Sequence, residues 1–554
     1  MNIFRGDLSQ GAVHARRKRP GVPLLIACAA VLGMRPGLDG GSAVAAQANQ
    51  KIAALKTRIE RTSFAETTRY PELMAFAEAV SDPSPLVHLT TFGYSFEGRR
   101  LPLFVIGNVK DASPEAVLAS GKTRVLVYTG THAGEIEGKE AMLMLVRSIA
   151  SAERWAGSDD LVLLIVPLQN PDADERVTLG NRPRQPGPVG GVGERNNAQG
   201  LDLNRDHVKL DGAECRALTN LIRRYDPHVM SDLHGTNGTR HAYHITYSPP
   251  LNPNTDPAIV DLLRKDWFPS VTRAFKAKHG WDSYYYGNVP GAGGPAGAER
   301  GYYTFDPRPR YSTNYVGLRN RFAILVESYA YVPVQERIVS LVRFVEELVD
   351  YARVNAARIR DIAARADAES IVGRQLALGG TLQKSPEPVD ILLGDVREEK
   401  HPYTGQIMLV RTDTRKPERL PEFQAFAPSD VERVPSAYYV PAGLGDVIDR
   451  LQTHGARVSR LEKPETLAVE QFTIASSRFA EPPSQGHRER TVTGRYEPVQ
   501  QTLPAGTVVV PMDQPLARLI FHLLEPRSSD GLLTWNFFDD ALKNSTVYPI
   551  VRRP

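Results

Sequence analysis

The 554-residue chain predicts an α/β fold, a sheet covered by helices on both faces, followed by a smaller strand-rich α+β region. Three observations predict this. Apolar, strand-like runs begin at Val125, Leu161, His228 and Phe322. Helical patterns such as Asp211 to Arg224 and Pro257 to Lys278 stand between them, and buried strands alternating with helices call for helices on both faces of the sheet. Beyond residue 368 the character changes to short apolar runs broken by Pro and Gly, among them Val389 to Leu393, Gly405 to Val410 and Gly506 to Pro511. That stretch of roughly 185 residues is long enough for a core of its own.

Taken in order, residues 1–45 read as an export leader. Arg16-Arg-Lys-Arg19 precedes the apolar stretch Val22 to Met34, and Ala43-Val-Ala45 offers small residues for processing. The apolar stretch falls short of the about 20 residues a spanning helix needs, so no transmembrane anchor is expected after processing. A lipoprotein box at Leu25 to Cys28 is the lesser alternative, because little apolar chain precedes Cys28. The expected location is therefore secreted or periplasmic. Of the 67 basic and 63 acidic residues, six and two lie in 1–46, leaving 61 of each. That balance gives no reason for a nucleic-acid or membrane-surface partner. Only Cys215 remains after processing, which excludes an internal disulfide and a multi-cysteine metal site; it reads as a buried thiol on a helix.

Residues 46–66 form a polar, helical lead-in, and residues 67–368 hold the main α/β domain, closed by a long helix over Pro333 to Ala366 with apolar residues at helical spacing. The Gly/Pro-rich stretches Arg182 to Gly200 and Tyr286 to Gly301 read as loops at the rim of a cleft. Gly190 to Gly193 lacks the preceding strand and following helix start that a phosphate cradle requires. In residues 369–554, Tyr438 to Val458 suggests a small α/β module, and Trp535 to Asp539 reads as core ahead of an aromatic contact surface.

The chemistry centres on His132-Ala-Gly-Glu135, directly after the run Val125 to Tyr128. A catalytic zinc takes three nitrogen or oxygen ligands and keeps a fourth position open. His132 and Glu135 supply two. His234, at the end of the run from His228, is the best third, with His228, His241 and His244 as competitors. Sites in open α/β sheets form at the carboxyl ends of strands, where two such ends can share one ion. Asp202-Leu-Asn204-Arg205 places an arginine able to hold a carboxylate through paired hydrogen bonds. Phe322 to Glu327 delivers one carboxylate from an apolar run, where desolvation raises its pKa toward the range of a general base.

In this order the pieces resemble the zinc carboxypeptidase family, whose pattern is His-x-x-Glu, Asn-Arg, His and Glu. Gly93-Tyr-Ser-Phe-Glu-Gly-Arg99 is similar to its entry segment and Asn170-Pro-Asp172 to its Asn-Pro-Asp turn, so that the likeness runs from about Thr67 to Ile362. The resemblance implies a mixed, mostly parallel twisted sheet and one Zn²⁺ per chain held by His132, Glu135 and His234. It further implies Glu327 as the base that activates water, and Asn204 and Arg205 as holders of a substrate carboxylate. An arginine polarising the scissile carbonyl is expected at Arg182, with Arg184 as the alternative. A tyrosine closing over substrate is expected at Tyr311, with Tyr303 and Tyr315 as alternatives. The chain departs from animal digestive members in having Ala133-Gly134 where an arginine is usual, and Gly-Thr after His234.

The resulting expectation is an exported zinc metallocarboxypeptidase acting on peptides, with cell-wall stem peptides one candidate substrate. A zinc deacylase of N-acyl amino acids and a non-catalytic peptide or cell-wall binding protein on the same fold are the alternatives.

Overall fold

The four apolar runs become neighbouring strands of one eight-stranded sheet in the computed structural model, which describes residues 39–152, 154–155 and 160–554. Most of the expected leader lies outside the described residues; its last part begins the helix Asp39–Ala53. Residues 47–554 form one compact unit. Among the described residues no helix is long and apolar enough to cross a membrane.

The strands are β1 (Val87–Tyr94), β2 (Arg100–Ile106), β3 (Thr123–Thr129), β4 (Leu161–Val166), β5 (Val229–Thr236), β6 (Ile245–Ser248), β7 (Ser283–Tyr285), β8 (Tyr302–Tyr303) and β9 (Phe322–Tyr329). The sheet runs β1-β2-β4-β3-β5-β9-β6-β7, and β8 lies outside it, paired with Glu422–Phe423. The central neighbours β4-β3-β5-β9 are parallel, whereas β1-β2, β2-β4 and β9-β6 are antiparallel. The sheet is therefore mixed and mostly parallel at its centre, as expected.

Successive side chains on a strand point to opposite faces, so runs apolar at every position must be covered twice. Val125, Val127, Leu163, Ile165 and Ile324 pack under helices that include Ile136–Ala150 and Val334–Val354. Leu126, Tyr128, Leu164, Met230 and Ala323 enter a second cluster with Leu218 and Ile222 of the helix Ala213–Tyr225. The same cluster contains Val440, Leu451, Phe521 and Trp535 from beyond residue 369, so the strand-rich region helps cover the second face. Each such fully buried Leu, Ile or Phe contributes about 1.5–3 kcal/mol.

The strand-rich region is built on a six-stranded antiparallel sheet whose long hairpin pairs Glu465–Phe479 with Arg490–Leu503. Trp535 is core: it is buried, donates its ring N–H to Asp530 at 3.0 Å and lies under Arg310. Cys215 is a buried free thiol on the helix Ala213–Tyr225. One expected element differs. The single helix over Pro333 to Ala366 is two, Val334–Val354 and Ala356–Ala368. The break falls at Asn355, whose backbone leaves helical geometry while its side-chain amide donates to the Tyr351 carbonyl, a local bond that competes with the helix.

Candidate active site

Strand β3 ends at Thr129, and the chain turns through Gly130 before reaching His132. Gly130 has φ +74°, and a β-carbon there would stand 2.7 Å from the Leu168 side chain, so only glycine fits the turn. The turn leads to Glu135, which immediately precedes the helix Ile136–Ala150. From the neighbouring strand β5 comes His234. It lies two residues before the strand's end, because β5 and β9 stay paired through Thr236 and Tyr329. In that register His234 stands directly opposite Glu327.

These placements bring three donors together. His132 Nδ1 is 3.0 Å from Glu135 Oε1, and His234 Nδ1 is 3.0 Å from Glu135 Oε2. Nitrogen and oxygen atoms of His132, Glu135 and His234 all lie within 4.8 Å of one another, and all three residues are buried. The other ring nitrogens face carboxylates. His132 Nε2 is 3.0 Å from Asp202 Oδ1. His234 Nε2 is also 3.0 Å from Asp232 Oδ1, though the two are out of line for a hydrogen bond. Two imidazoles and a carboxylate, each imidazole backed by a carboxylate, form a donor set suited to zinc. The competing histidines stand elsewhere: His228 Nδ1 accepts from the Arg124 amide, His241 stacks on Tyr329, and His244 pairs with Glu336.

The backbone at Gly235 donates to Glu135 Oε2 at 3.0 Å. A β-carbon at this position would lie 2.2 Å from Glu137 Oε1, which accounts for glycine directly after His234.

The electrostatics separate the two carboxylates of the site. Burial pushes Glu135 up, but Arg182 and His132 outweigh it and hold the group well below the usual carboxylate range. Glu327 is pushed up to about 8, first by removal from water, with the charges of Glu135 and Asp232 adding and His234 opposing.

A cleft of about 640 Å³ opens over the cluster. Asn204 and Arg205 reach it from a short 3₁₀ turn, Leu203–Arg205, capped by the Asp202 side chain. The Arg205 guanidinium lies 4.3 Å over the Tyr311 ring, and Asn204 Oδ1 is buried without a hydrogen-bond partner among the described residues. Of the three expected tyrosines only Tyr311 lines the cleft. Tyr303 stacks on Phe423, and Tyr315 is fully buried against His454 and Arg319. Tyr311 stands at the N-cap of the helix Ser312–Gly317 and stays outside, whereas Tyr315 is carried inward by its first turn.

Arg182 and Arg184 both line the cleft. Arg182 donates to Glu135 Oε1 at 2.5 Å and its side chain is only 16% exposed. Sequence reasoning missed Arg195. It donates to Asp202 Oδ2 through Nε and Nη2, brings Nη1 within 3.5 Å of His132 Nδ1, and remains 47% exposed. Tyr286 was missed as well; it lines the cleft, with its hydroxyl pushed up to about 12 by burial and by the charge of Glu327. A third omission is Gln485, at the tip of the long hairpin, whose side-chain oxygen accepts from the Asp202 amide at 2.8 Å.

Asp202 thus ties together His132, Arg195 and the Asn204 turn. Asp202→Ala is expected to weaken zinc affinity about 10–100-fold, because the imidazole loses the carboxylate that orients it. Competition against a chelator measures this, and an unchanged affinity would remove Asp202 from that role.

Comparison with known proteins places these residues in context. Residues 73–294 match the family model described as zinc carboxypeptidase. The chain is 24% identical over 477 residues to carboxypeptidase 2 of Trichophyton tonsurans, covering 83% of this chain and 81% of that protein. It is 31% identical over 187 residues to carboxypeptidase D of Rattus norvegicus, covering 29% of this chain and 13% of that protein. A metallo-carboxypeptidase structure from Burkholderia cenocepacia aligns at 18% identity with a TM-score of 0.36, covering 51% of this chain and 70% of that one.

Proposed function

From the premise that this chain belongs to the zinc carboxypeptidase family through residues 73–294 and is a zinc-dependent hydrolase of peptide bonds, we propose that it is exported and releases residues from the carboxyl ends of peptides. The observation that carries the reading is the convergence of His132, Glu135 and His234 beside Glu327 in a cleft that also holds Arg205.

In this reading His132, Glu135 and His234 hold the ion. Zinc supplies a Lewis acid that polarises a carbonyl and makes water easier to deprotonate. Glu327, on the strand beside His234, takes the proton from the attacking water and returns it to the leaving nitrogen. Both arginines pair with a carboxylate, Arg195 with Asp202 and Arg182 with Glu135, but the Arg195 side chain is 47% exposed against 16% for Arg182 and brings Nη1 within 3.5 Å of His132 Nδ1, so Arg195 rather than Arg182 faces the oxygen that becomes negative. Asn204 and Arg205 grip the terminal carboxylate, and Tyr311 keeps Arg205 aimed by stacking on it.

The test is metal analysis of the purified protein together with hydrolysis of free-carboxyl peptides, carboxyl-blocked peptides and N-acyl amino acids. Zinc near one per chain and turnover of the free-carboxyl peptides alone are expected. Equal turnover of blocked peptides would overturn the carboxyl-end specificity, and turnover of N-acyl amino acids alone would make the protein a deacylase.

Arg205→Gln should raise KM for free-carboxyl peptides by roughly 10–100-fold with a smaller change in kcat, the worth of one charge-assisted contact to a carboxylate. Steady-state kinetics on a dipeptide and its amide give the comparison, and an unaltered KM would detach Arg205 from the carboxylate.

A further inference from the structure

A second, larger groove of about 950 Å³ continues from the catalytic cleft and shares Arg184 and Asn237 with it. One wall is Asn237 to Arg240 with the loop at Val289 to Gly293, and the other comes from the strand-rich region at Leu393 to Asp395 and Lys416 to Glu418. Its charges do not cancel. Arg300 pairs with Glu418 at 2.6 Å and Lys416 with Asp395 at 2.5 Å. Arg184 and Arg240 are exposed, and among the described residues their side chains have no ion pair or hydrogen bond.

Their backbones, by contrast, are fixed. The Arg184 carbonyl accepts from the Leu409 amide at 2.9 Å and the Arg240 carbonyl from the Gly394 amide at 3.1 Å, so the strand-rich region pins both residues in place. Tyr331, whose hydroxyl donates to the Asn237 carbonyl at 2.6 Å, lines the groove beside them. Two cations held at the main chain and free at the side chain in one groove form a site suited to anionic groups.

Position supplies the occupant. With a terminal carboxylate at Arg205 and Tyr311, the substrate upstream of the cleaved bond must leave the metal cluster past another wall, and the Arg184–Asn237 side opens into this groove. We propose that the groove binds the upstream segment of the peptide substrate and selects acidic side chains there through Arg184 and Arg240. This rests on the carboxyl-end reading above for its orientation. It also gives the strand-rich region a task, that of building one wall of the substrate path.

The test uses zinc-loaded full-length protein carrying Glu327→Gln, so that substrate binds without turnover. Fluorescent peptides share their last two residues and carry Glu-Glu, Gln-Gln or Lys-Lys at the two positions before them. Anisotropy is expected to show the Glu peptide binding roughly ten-fold more tightly than the Gln peptide at low salt, and the Lys peptide most weakly. The Glu-to-Gln ratio should fall toward one near about 0.5 M salt, and in the Arg184→Gln/Arg240→Gln variant at any salt. Equal affinities in the parent protein, or a preference that survives the double substitution, would overturn the proposal. The unsubstituted enzyme on the Gln peptide separates the two readings. Hydrolysis without charge preference sinks the groove alone, while acidic preference without hydrolysis sinks the peptidase reading and leaves the groove.

Discussion

Glu327→Gln is expected to lower kcat/KM for peptide hydrolysis by roughly 10³–10⁴-fold while zinc stays bound at one per chain. The substitution keeps the shape of the side chain and removes only its capacity to take a proton. Glu327 is not among the three donors that converge on the ion, so metal content should not follow activity. Its backbone pairing opposite His234 is unaffected by the side-chain change, so the cluster keeps its geometry. Stability should hold or rise. Burial and the charges of Glu135 and Asp232 disfavour the ionised carboxylate, and a neutral amide avoids that cost. Metal analysis and kinetics on one preparation decide the matter. Turnover near the parent level would place the base elsewhere, and loss of zinc together with activity would make Glu327 a ligand.

How far the site could be read in advance depends on where each signal was stored. His132, Glu135, His234 and Glu327 follow buried apolar runs, and such runs identify strands whose carboxyl ends must meet; the structure brings these four together. Arg195 lies in an aperiodic Gly/Asn loop, and only its tertiary contact with Asp202 and His132 separates it from Arg182 and Arg184. Tyr311 and Tyr315 differ by where the short helix Ser312–Gly317 begins, a boundary that composition does not mark, and Tyr303 is set apart by its distant pairing with Glu422–Phe423. Gln485 reaches Asp202 across just over half the chain, a pairing no local pattern encodes. In the strand-rich region the apolar runs announced strands but not partners: Ala437–Val440 pairs with both Val508–Pro511 and Val547–Arg553, far along the chain.

Acidification is expected to unfold the protein between about pH 6 and pH 4, driven by histidines that fold in their neutral form. Burial pushes His207 and His522 down to about 4, and His241 and His454 down to about 3. Among the described residues His207 has no hydrogen-bond partner on either ring nitrogen, whereas His454 is held between the Tyr315 hydroxyl and the Val208 carbonyl. Each folded pKa lies below the unfolded value of about 6.5. The unfolded chain therefore binds more protons as pH falls, and stability, complete above about pH 6.5, is lost on the way down to the folded values. At pH 4 each group costs on the order of 3 kcal/mol, so four of them approach the whole stability of about 5–15 kcal/mol typical of folded proteins. Buried carboxyls with raised pKa, such as Glu140, Asp206 and Glu525, act in the opposite direction and soften the transition. His454→Gln keeps groups able to bond Tyr315 and Val208 but cannot charge, and should lower the acid midpoint by a few tenths of a pH unit without loss of stability at pH 7. Circular dichroism against pH on zinc-loaded and chelator-treated protein measures the midpoint, and the His454→Gln displacement should be the same in both. A midpoint below pH 3, or one indifferent to His454→Gln, would show that these histidines do not control acid unfolding.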